Sequence, residues 1–328
     1  MSNEIEIGIC DLCGCEKLEF ILYNHDRLLG CGGSYDLVKC SNCGLIFINP
    51  LPSANQLLES YDRNRYSVFA NSGRTKNLRD LYTLVECVYY HTQFKEYPAV
   101  VSCLSKILFF PLRPMFRSTK FVKGSNFLDV GCGSCNFLIS MKYLGMIPYG
   151  VEPGEFDEKI VHDHNLNVFK GKLYEAKYDD NFFDVITLNH VIEHVVDPTE
   201  TFSELYRILK PGGYLIVAVP LSNSLAFKLF GKFWSQLDTP RHLYIFSRSN
   251  LIRYAKKFDF GIIKIRYNST PSYQFLLSIQ YFIEELFNRR FSVNFTHNIC
   301  LNLILMPLSI ILNLVKLGDQ CEVIMTKK

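Results

Sequence analysis

The sequence has no long run of acidic or basic residues. Its 35 Lys and Arg residues nearly balance its 32 Asp and Glu residues, which leaves a net charge of +3 over 328 residues. Nucleic-acid binding depends on clustered positive charge that neutralises phosphates, and no such cluster stands out. We therefore expect no nucleic-acid partner.

The N-terminus lacks the basic start and the apolar stretch of a secretory signal. The chain has 12 cysteines, and six of them precede residue 44. This combination indicates reduced thiols and a cytoplasmic protein. In such a compartment, C-x-x-C pairs more often hold a metal than form disulfides.

Uninterrupted apolar runs are also scarce. The longest apolar stretch, residues 299–317, contains several polar residues and Pro307. The segment 321–326 that follows has the pattern of a β-strand that rejoins the main sheet, which excludes a membrane span between them. Residues 299–317 are therefore predicted to form a helix that is buried in the protein or lies on a membrane surface.

Strand and helix patterns alternate from residue 121 onward, which is typical of an α/β fold whose parallel sheet is covered by helices on both faces. Strands are predicted at 126–130, 147–152, 167–170, 183–189, 214–219, 261–267 and 321–327. Helices between them are predicted at 135–145, 155–164, 197–209 and 247–257. This region is predicted to be one domain, 121–328, with a helical insertion at 270–317.

Two smaller parts precede this domain. Residues 1–50 have no helical period and are predicted to form a small loop-and-hairpin module. Residues 51–120 are predicted to form a helical linker or lid. Its first helix begins with a capping box between Ser53 and Gln56.

A glycine-rich turn follows the first predicted strand of the domain, in "LDVGCGSCNF". Gly131 and Gly133 allow a tight turn and close approach to a ligand. A dinucleotide fingerprint requires glycine at the position of Asn136. Asp129 can instead fix the turn and attract the amino group of an amino-acid-like ligand, and Glu152 can accept hydrogen bonds from ribose hydroxyls. These features favour a nucleoside with an amino-acid tail and no phosphate.

Four motifs in this region occur together: D-x-G-C-G at 129–133, Y-G-V-E at 149–152, E-H-V-x-D-P at 193–198 and L-K-P-G-G at 209–213. With them, residues 121–269 and 318–328 resemble the class I S-adenosylmethionine-dependent methyltransferases. The resemblance implies a Rossmann-like sheet of seven strands in the order 3-2-1-4-5-7-6, with strand 7 antiparallel. It also implies that S-adenosylmethionine contacts Asp129, Gly131, Gly133 and Glu152.

Cys135 departs from the family pattern, which often has a third glycine there. We expect it in the first helical turn with negative φ, where a thiol crowds the methionine end of the cofactor.

Two C-x-x-C-G knuckles form a second motif, with thiols at Cys10, Cys13, Cys40 and Cys43. Four converging thiolates suit a structural Zn²⁺, whereas a rubredoxin-like iron site or metal-free thiols are the alternatives. The segment through "CGLIFINPLPS" resembles the zinc-ribbon head of a methyltransferase subgroup, many of which occur with surface polysaccharide or glycan biosynthesis.

Methyl transfer to oxygen or carbon requires a base for the departing proton, and the candidates are His190, His194 and His242. His190, Glu193 and His194 also resemble the E-x-x-E-H set of ubiquinone-pathway O-methyltransferases, in which a divalent ion is implicated, although the first position here is His. Alternatively, Glu193 and His194 only fix their loop. Arg241 either binds an acidic group of the acceptor or anchors its loop to Asp238.

The sequence thus predicts a methyltransferase with an N-terminal zinc module that acts on a small molecule or a sugar, free or lipid-linked, in cell-surface glycan assembly. One alternative is an O-methyltransferase for a lipophilic phenol or quinone. Another is a catalytically inactive, zinc-dependent binding module. Peripheral contact with the inner face of the membrane is a further hypothesis, based on residues 107–117 and 299–317.

Overall fold

The computed structural model describes residues 6–30, 33–61, 76–94, 99–110, 112–120, 122–291 and 294–328. The strands are β1 (Leu18–His25), β2 (Ser34–Cys40), β3 (Ile46–Ile48), β4 (Asn126–Val130), β5 (Ile147–Glu152), β6 (Asn167–Lys170), β7 (Phe183–Asn189), β8 (Leu209–Pro220), β9 (Tyr244–Ile245), β10 (Phe260–Tyr267) and β11 (Gln320–Lys327). The helices are α1 (Ala54–Ser60), α2 (Lys76–Phe94), α3 (Ala99–Leu108), α4 (Asn136–Leu144), α5 (Glu158–Asp163), α6 (Pro198–Ile208), α7 (Leu225–Phe230), α8 (Arg248–Lys257), α9 (Leu277–Leu286) and α10 (Ile299–Leu314).

A seven-stranded sheet has the order β10-β11-β8-β7-β4-β5-β6. Its strands are parallel except for β11, which pairs antiparallel with both β8 and β10. Read from β6, this is the predicted order 3-2-1-4-5-7-6, so the predicted Rossmann-like fold is confirmed. The centre of the core contains the fully buried side chains of Leu128, Ile186 and Val217.

The predicted strand bounds agree closely with the structure except at β8. This strand begins at Leu209 rather than at residue 214. The pairing with β7 shifts register between Phe183 and Val185, and Gly212 has a positive φ of 74°. The K-P-G-G segment is therefore an irregular stretch of the strand.

A second sheet has the order β1-β2-β3-β9. Its first three strands come from the N-terminal module, but β9 lies in the loop that follows β8. Asn24 donates a hydrogen bond to Thr239, and the buried Arg241 pairs with both Asp26 and Asp238. Arg241 is therefore an anchor that ties its loop to the module, and the interpretation as a binder of the acceptor is wrong because no part of its side chain is exposed.

The segment between β10 and β11 is the predicted helical insertion. It consists of a π-helical turn at Ser272–Leu276, α9, a short 3-10 turn and α10. Of the two alternatives predicted for 299–317, burial in the protein is wrong, and contact with a membrane surface stays a prediction. Ser272 donates to Asn302 and the Ser269 amide donates to Asn313, so the polar side of α10 faces the protein and its apolar side faces outward.

Among the described helices, none combines the length and the hydropathy that a membrane crossing requires. The first helix has the predicted capping box, since Ser53 and Gln56 exchange hydrogen bonds. The parts of 51–120 at residues 62–75, 95–98 and 111 lie outside the described residues.

Candidate active site

The glycine turn connects β4 to α4. Gly131 and Gly133 both have positive φ, of 68° and 50°. A Cβ atom on Gly131 would lie 2.4 Å from Cγ2 of Val191, which belongs to the loop after β7. The turn therefore packs directly against the loop that carries His190 and His194, as the carboxyl ends of neighbouring parallel strands require.

Cys135 is not in the first helical turn as predicted. It is the residue before α4, with a left-handed φ of 61°. Its buried thiol lies 4.0 Å from the Cys132 thiol and does not cap the helix. The expectation of negative φ is therefore wrong. Gly131 and Gly133 also have positive φ, and this left-handed backbone of the turn extends to Cys135.

Asp129 is completely buried below the turn. Asp129 was expected to bind the backbone amides of the turn, but its carboxylate has other partners. Its Oδ1 accepts a hydrogen bond from Thr187, and its Oδ2 pairs with Arg117 at 3.0 Å. Burial raises the pKa of Asp129, and the positive charge of Arg117 opposes this shift.

Glu152 takes the role that was expected of Asp129. It ends β5, and its side chain folds over the turn. Oε2 accepts from the Gly133 amide and Oε1 from the Gly154 amide, both at 2.8 Å. Burial raises the pKa of Glu152, whereas these amides lower it.

These residues fit S-adenosylmethionine. Each carboxylate oxygen of Glu152 has a second lone pair for a ribose hydroxyl, and the turn presents bare backbone. Two buried carboxylates, Asp129 and Glu152, favour a cationic ligand over a pyrophosphate. The four predicted cofactor-contacting residues thus lie together at the ends of β4 and β5.

His190 immediately follows β7. Its φ is 55°, and its Nδ1 lies 3.1 Å from Oε1 of Glu193. An ionised carboxylate only accepts, so Nδ1 carries the hydrogen and Nε2 has a free lone pair. The side chain of His190 is 30% exposed, whereas Glu193 is buried. His190 is therefore an oriented imidazole at the carboxyl edge of the sheet.

His194 and His242 lie against each other, with ring centroids 4.6 Å apart. Nδ1 of His194 lies 2.9 Å from the Arg241 carbonyl and 3.0 Å from the Tyr61 hydroxyl. Nδ1 of His242 lies 2.7 Å from the Gln236 carbonyl. Burial, together with the neighbouring His242, lowers the pKa of His194 to about 4, so its ring is neutral at pH 7.

The structure therefore gathers all three predicted histidines at the end of β7. Sequence inspection missed Arg117, the ion partner of Asp129, and Tyr61, the hydroxyl beside His194. Both precede the recognisable motifs, and no spacing links them to the residues that they contact.

The four knuckle cysteines also converge. The Sγ atoms of Cys10 and Cys43 lie 3.5 Å apart, as do those of Cys13 and Cys40, and all four lie within 4.8 Å of one another. Tetrahedral Zn²⁺ with Zn–S bonds of about 2.3 Å requires sulfur atoms about 3.8 Å apart. The cluster therefore fits a structural Zn²⁺ after a small adjustment.

Residues 104–265 match the model of a family described as methyltransferase domain. The demethylmenaquinone methyltransferase of Listeria welshimeri is 29% identical over 142 residues, which cover 38% of this chain and 59% of that protein. The demethylmenaquinone methyltransferase of Staphylococcus epidermidis is 28% identical over 172 residues, which cover 44% of this chain and 71% of that protein. A SAM-dependent methyltransferase structure from Archaeoglobus fulgidus aligns with a TM-score of 0.42 and 21% identity over 73% of this chain and 99% of that one.

The chain thus spans about three fifths of the length of the Listeria relative. The family match shows that this chain contains a methyltransferase domain at residues 104–265, and the strand order is that of the predicted Rossmann-like fold. The chain combines that domain with an N-terminal cluster of four cysteines.

Proposed function

We propose that the protein transfers the methyl group of S-adenosylmethionine to an oxygen or carbon atom of a small molecule or sugar, free or lipid-linked, in cell-surface glycan assembly. One observation carries the catalytic part of this proposal: the Gly131 turn touches Val191, so the cofactor end of β4 and the oriented His190 share one site. The knuckle segment supports the glycan context by its resemblance to the zinc-ribbon head.

The bound cofactor supplies an electrophilic methyl group on a sulfonium sulfur. Glu152 and the glycine turn hold its ribose and methionine portions. His190 accepts the acceptor proton at Nε2, because Glu193 holds the hydrogen on Nδ1 and stabilises the imidazolium that forms. His194, which is partly buried, and His242, which is buried, are alternative bases.

A quinone or phenol is the second candidate acceptor. The outward apolar side of α10 and the names of the Listeria and Staphylococcus relatives favour it. For the whole chain, we propose a zinc module at 1–50, a helical linker at 51–120 and the catalytic domain at 121–328. Cys10, Cys13, Cys40 and Cys43 hold its structural Zn²⁺.

Methyl transfer is tested with isotopically labelled S-adenosylmethionine and two acceptor pools, nucleotide sugars and quinone precursors. The variant His190→Asn suits the left-handed backbone of this position but has no basic lone pair in the imidazole pH range. Loss of a general base is expected to lower kcat by about 10² to 10⁴. S-adenosylhomocysteine affinity should stay within about twofold, because His190 does not hold the cofactor.

The matched control is His162→Ala, whose side chain is 91% exposed on α5. It should leave kcat unchanged. Methylation by His190→Asn at the wild-type rate would exclude His190 as the base. A wild-type protein that binds S-adenosylhomocysteine but methylates neither pool would contradict the proposed activity.

We propose further that α10 contacts the inner face of a membrane that contains anionic lipid. Three apolar side chains of this helix are each at least 70% exposed, namely those of Ile299, Ile304 and Leu314. From residue 286 to residue 318 the sequence has three Lys or Arg residues and no acidic residue. An exposed apolar side with only positive charge beside it suits an anionic membrane surface.

Vesicle flotation tests this contact. The wild-type chain is expected to float with vesicles that contain phosphatidylglycerol, and less with pure phosphatidylcholine or at high salt. Ile304→Asp should lower partitioning about tenfold or more, since it removes roughly 1.5–3 kcal/mol of apolar burial. Leu58→Asp, at a 74% exposed position of α1, is the control. Equal flotation of both variants would place the contact elsewhere.

A further inference from the structure

Three side chains next to His190 form a second cluster with the chemistry of metal ligands. A carboxylate oxygen of Glu193 and one ring nitrogen each from His194 and His242 all lie within 4.8 Å of one another. Glu193 and His194 belong to the 3-10 turn Ile192–His194, and His242 to the loop before β9. The Leu243 amide donates to the Glu193 carbonyl at 2.8 Å, which holds these two segments together.

The hydrogen bonds of the two histidines define their tautomers. The carbonyls of Arg241 and Gln236 only accept, so Nδ1 of His194 and Nδ1 of His242 both carry the hydrogen, and the Tyr61 hydroxyl near Nδ1 of His194 then acts as an acceptor. Nε2 is then the nitrogen with a free lone pair in both rings. A backbone carbonyl behind Nδ1 is the usual outer partner of a histidine that binds a metal through Nε2.

Glu193 supplies an independent observation. Its side chain is 1% exposed, and its Oε1 contacts His190. Among the described residues, no donor reaches its Oε2. Burying a carboxylate oxygen without a hydrogen-bonding or ionic partner costs up to several kcal/mol. The native protein is therefore expected to provide a partner for this atom. A cation bound by this oxygen and by one ring nitrogen of each histidine would satisfy all three atoms.

We propose that Glu193, His194 and His242 bind a divalent transition metal of the Zn²⁺ type. Two histidines and one glutamate are a ligand set of catalytic zinc sites that keep one coordination position open. Metal–ligand bonds of about 2.0–2.2 Å place tetrahedral ligand atoms about 3.3–3.6 Å apart, so atoms that lie within 4.8 Å of one another approach by about 1 Å or less when the metal binds. The set differs from the sequence-based triad, since His242 replaces His190.

The role of this metal rests on the proposed function. A metal held by Glu193, His194 and His242 would make an acceptor hydroxyl at its open position more acidic, and Nε2 of His190 would accept the proton. The oxygen then attacks the methyl carbon, the carbon–sulfur bond breaks, and sulfur keeps the electron pair as S-adenosylhomocysteine. Glu193 serves both groups, with Oε1 toward His190 and Oε2 toward the metal. Metal binding itself does not depend on this role.

Metal content of the full-length chain tests the site without an activity assay. Wild-type protein loaded with Zn²⁺ and freed of excess metal is expected to hold two zinc ions per chain, one in the cysteine cluster and one here. Glu193→Gln and His242→Asn should each hold one. The exposed control His162→Ala should hold two. In cobalt-loaded protein, the ion in the cysteine site gives a thiolate charge-transfer band. The ion at Glu193, His194 and His242 gives ligand-field bands but no thiolate charge-transfer band, which distinguishes the two sites.

The wild-type measurement decides the proposal even if a variant fails to fold. One zinc ion per chain at saturating Zn²⁺, with S-adenosylhomocysteine still bound, would overturn the metal site and leave the proposed function standing. Two ions without S-adenosylhomocysteine binding would support the site and contradict the proposed function. Two ions retained by both folded variants would also overturn the site.

Discussion

Glu152→Gln is expected to weaken the binding of S-adenosylmethionine and S-adenosylhomocysteine on the order of 100-fold or more. Hydrogen bonds to a charged group contribute about 1.5–3 kcal/mol each, and the carboxylate is positioned for two ribose hydroxyls. The neutral amide keeps the size of the side chain but has only one oxygen, and it cannot accept from both Gly133 and Gly154 as Glu152 does. Isothermal calorimetry with both ligands measures the change.

Glu155→Gln is the matched control, because Glu155 lies three residues further along the same loop and pairs with Lys170 at the surface. It should bind both ligands as wild type does. Titration with NAD tests whether the turn accepts a dinucleotide, and we expect no binding. Wild-type affinity in Glu152→Gln would show that the ribose is held elsewhere.

Cys40→Ser is expected to abolish binding of the proposed structural Zn²⁺ to the cysteine cluster and to unfold the N-terminal sheet. Structural Zn²⁺ binds zinc-finger peptides with an apparent free energy of about 10–16 kcal/mol, which is comparable to the whole stability of a domain. Cys40 ends β2 and is fully buried, so its loss also affects the strand that pairs with β1 and β3. Hydrogen exchange of β1, β2 and β3 measures the unfolding.

Cys15→Ser is the control for this change. Cys15 is only partly buried and lies outside the cluster of four, next to Ser41. It should keep the thiolate charge-transfer band of cobalt-loaded protein, and Cys40→Ser should lose it. Protection of β1 to β3 at the wild-type level in Cys40→Ser would refute a structural role for the metal.

The sheet was predictable from the sequence because its strands are short apolar runs separated by helices with clear caps. The positions of Asp129, Glu152 and the four knuckle cysteines followed from the same local patterns. Local patterns do not report contacts between distant segments. For that reason the pairing of Asp129 with Arg117, and the placement of Tyr61 beside His194, were not foreseen.

The predictions of the backbone conformation at Cys135 and of the burial of α10 were wrong for different reasons. The left-handed φ of Cys135 results from the tight entry into α4, which residue type does not reveal. In α10 the apolar residues are so numerous that composition left burial open as one of two alternatives. The few polar residues, Asn302 and Asn313, proved to be the ones that face the protein, because each has a hydrogen-bonding partner there.

The pairing of β3 with β9 has a consequence for the order in which the chain is made. During synthesis from the N-terminus, β1, β2 and β3 emerge long before Tyr244 and Ile245, their last partner strand. Until then one edge of β3 is open, and an open edge invites pairing with other chains. Before β9 is made, the module has only the pairing of β1, β2 and β3 and the proposed metal of its cysteine cluster, so early metal binding is expected to protect the open edge.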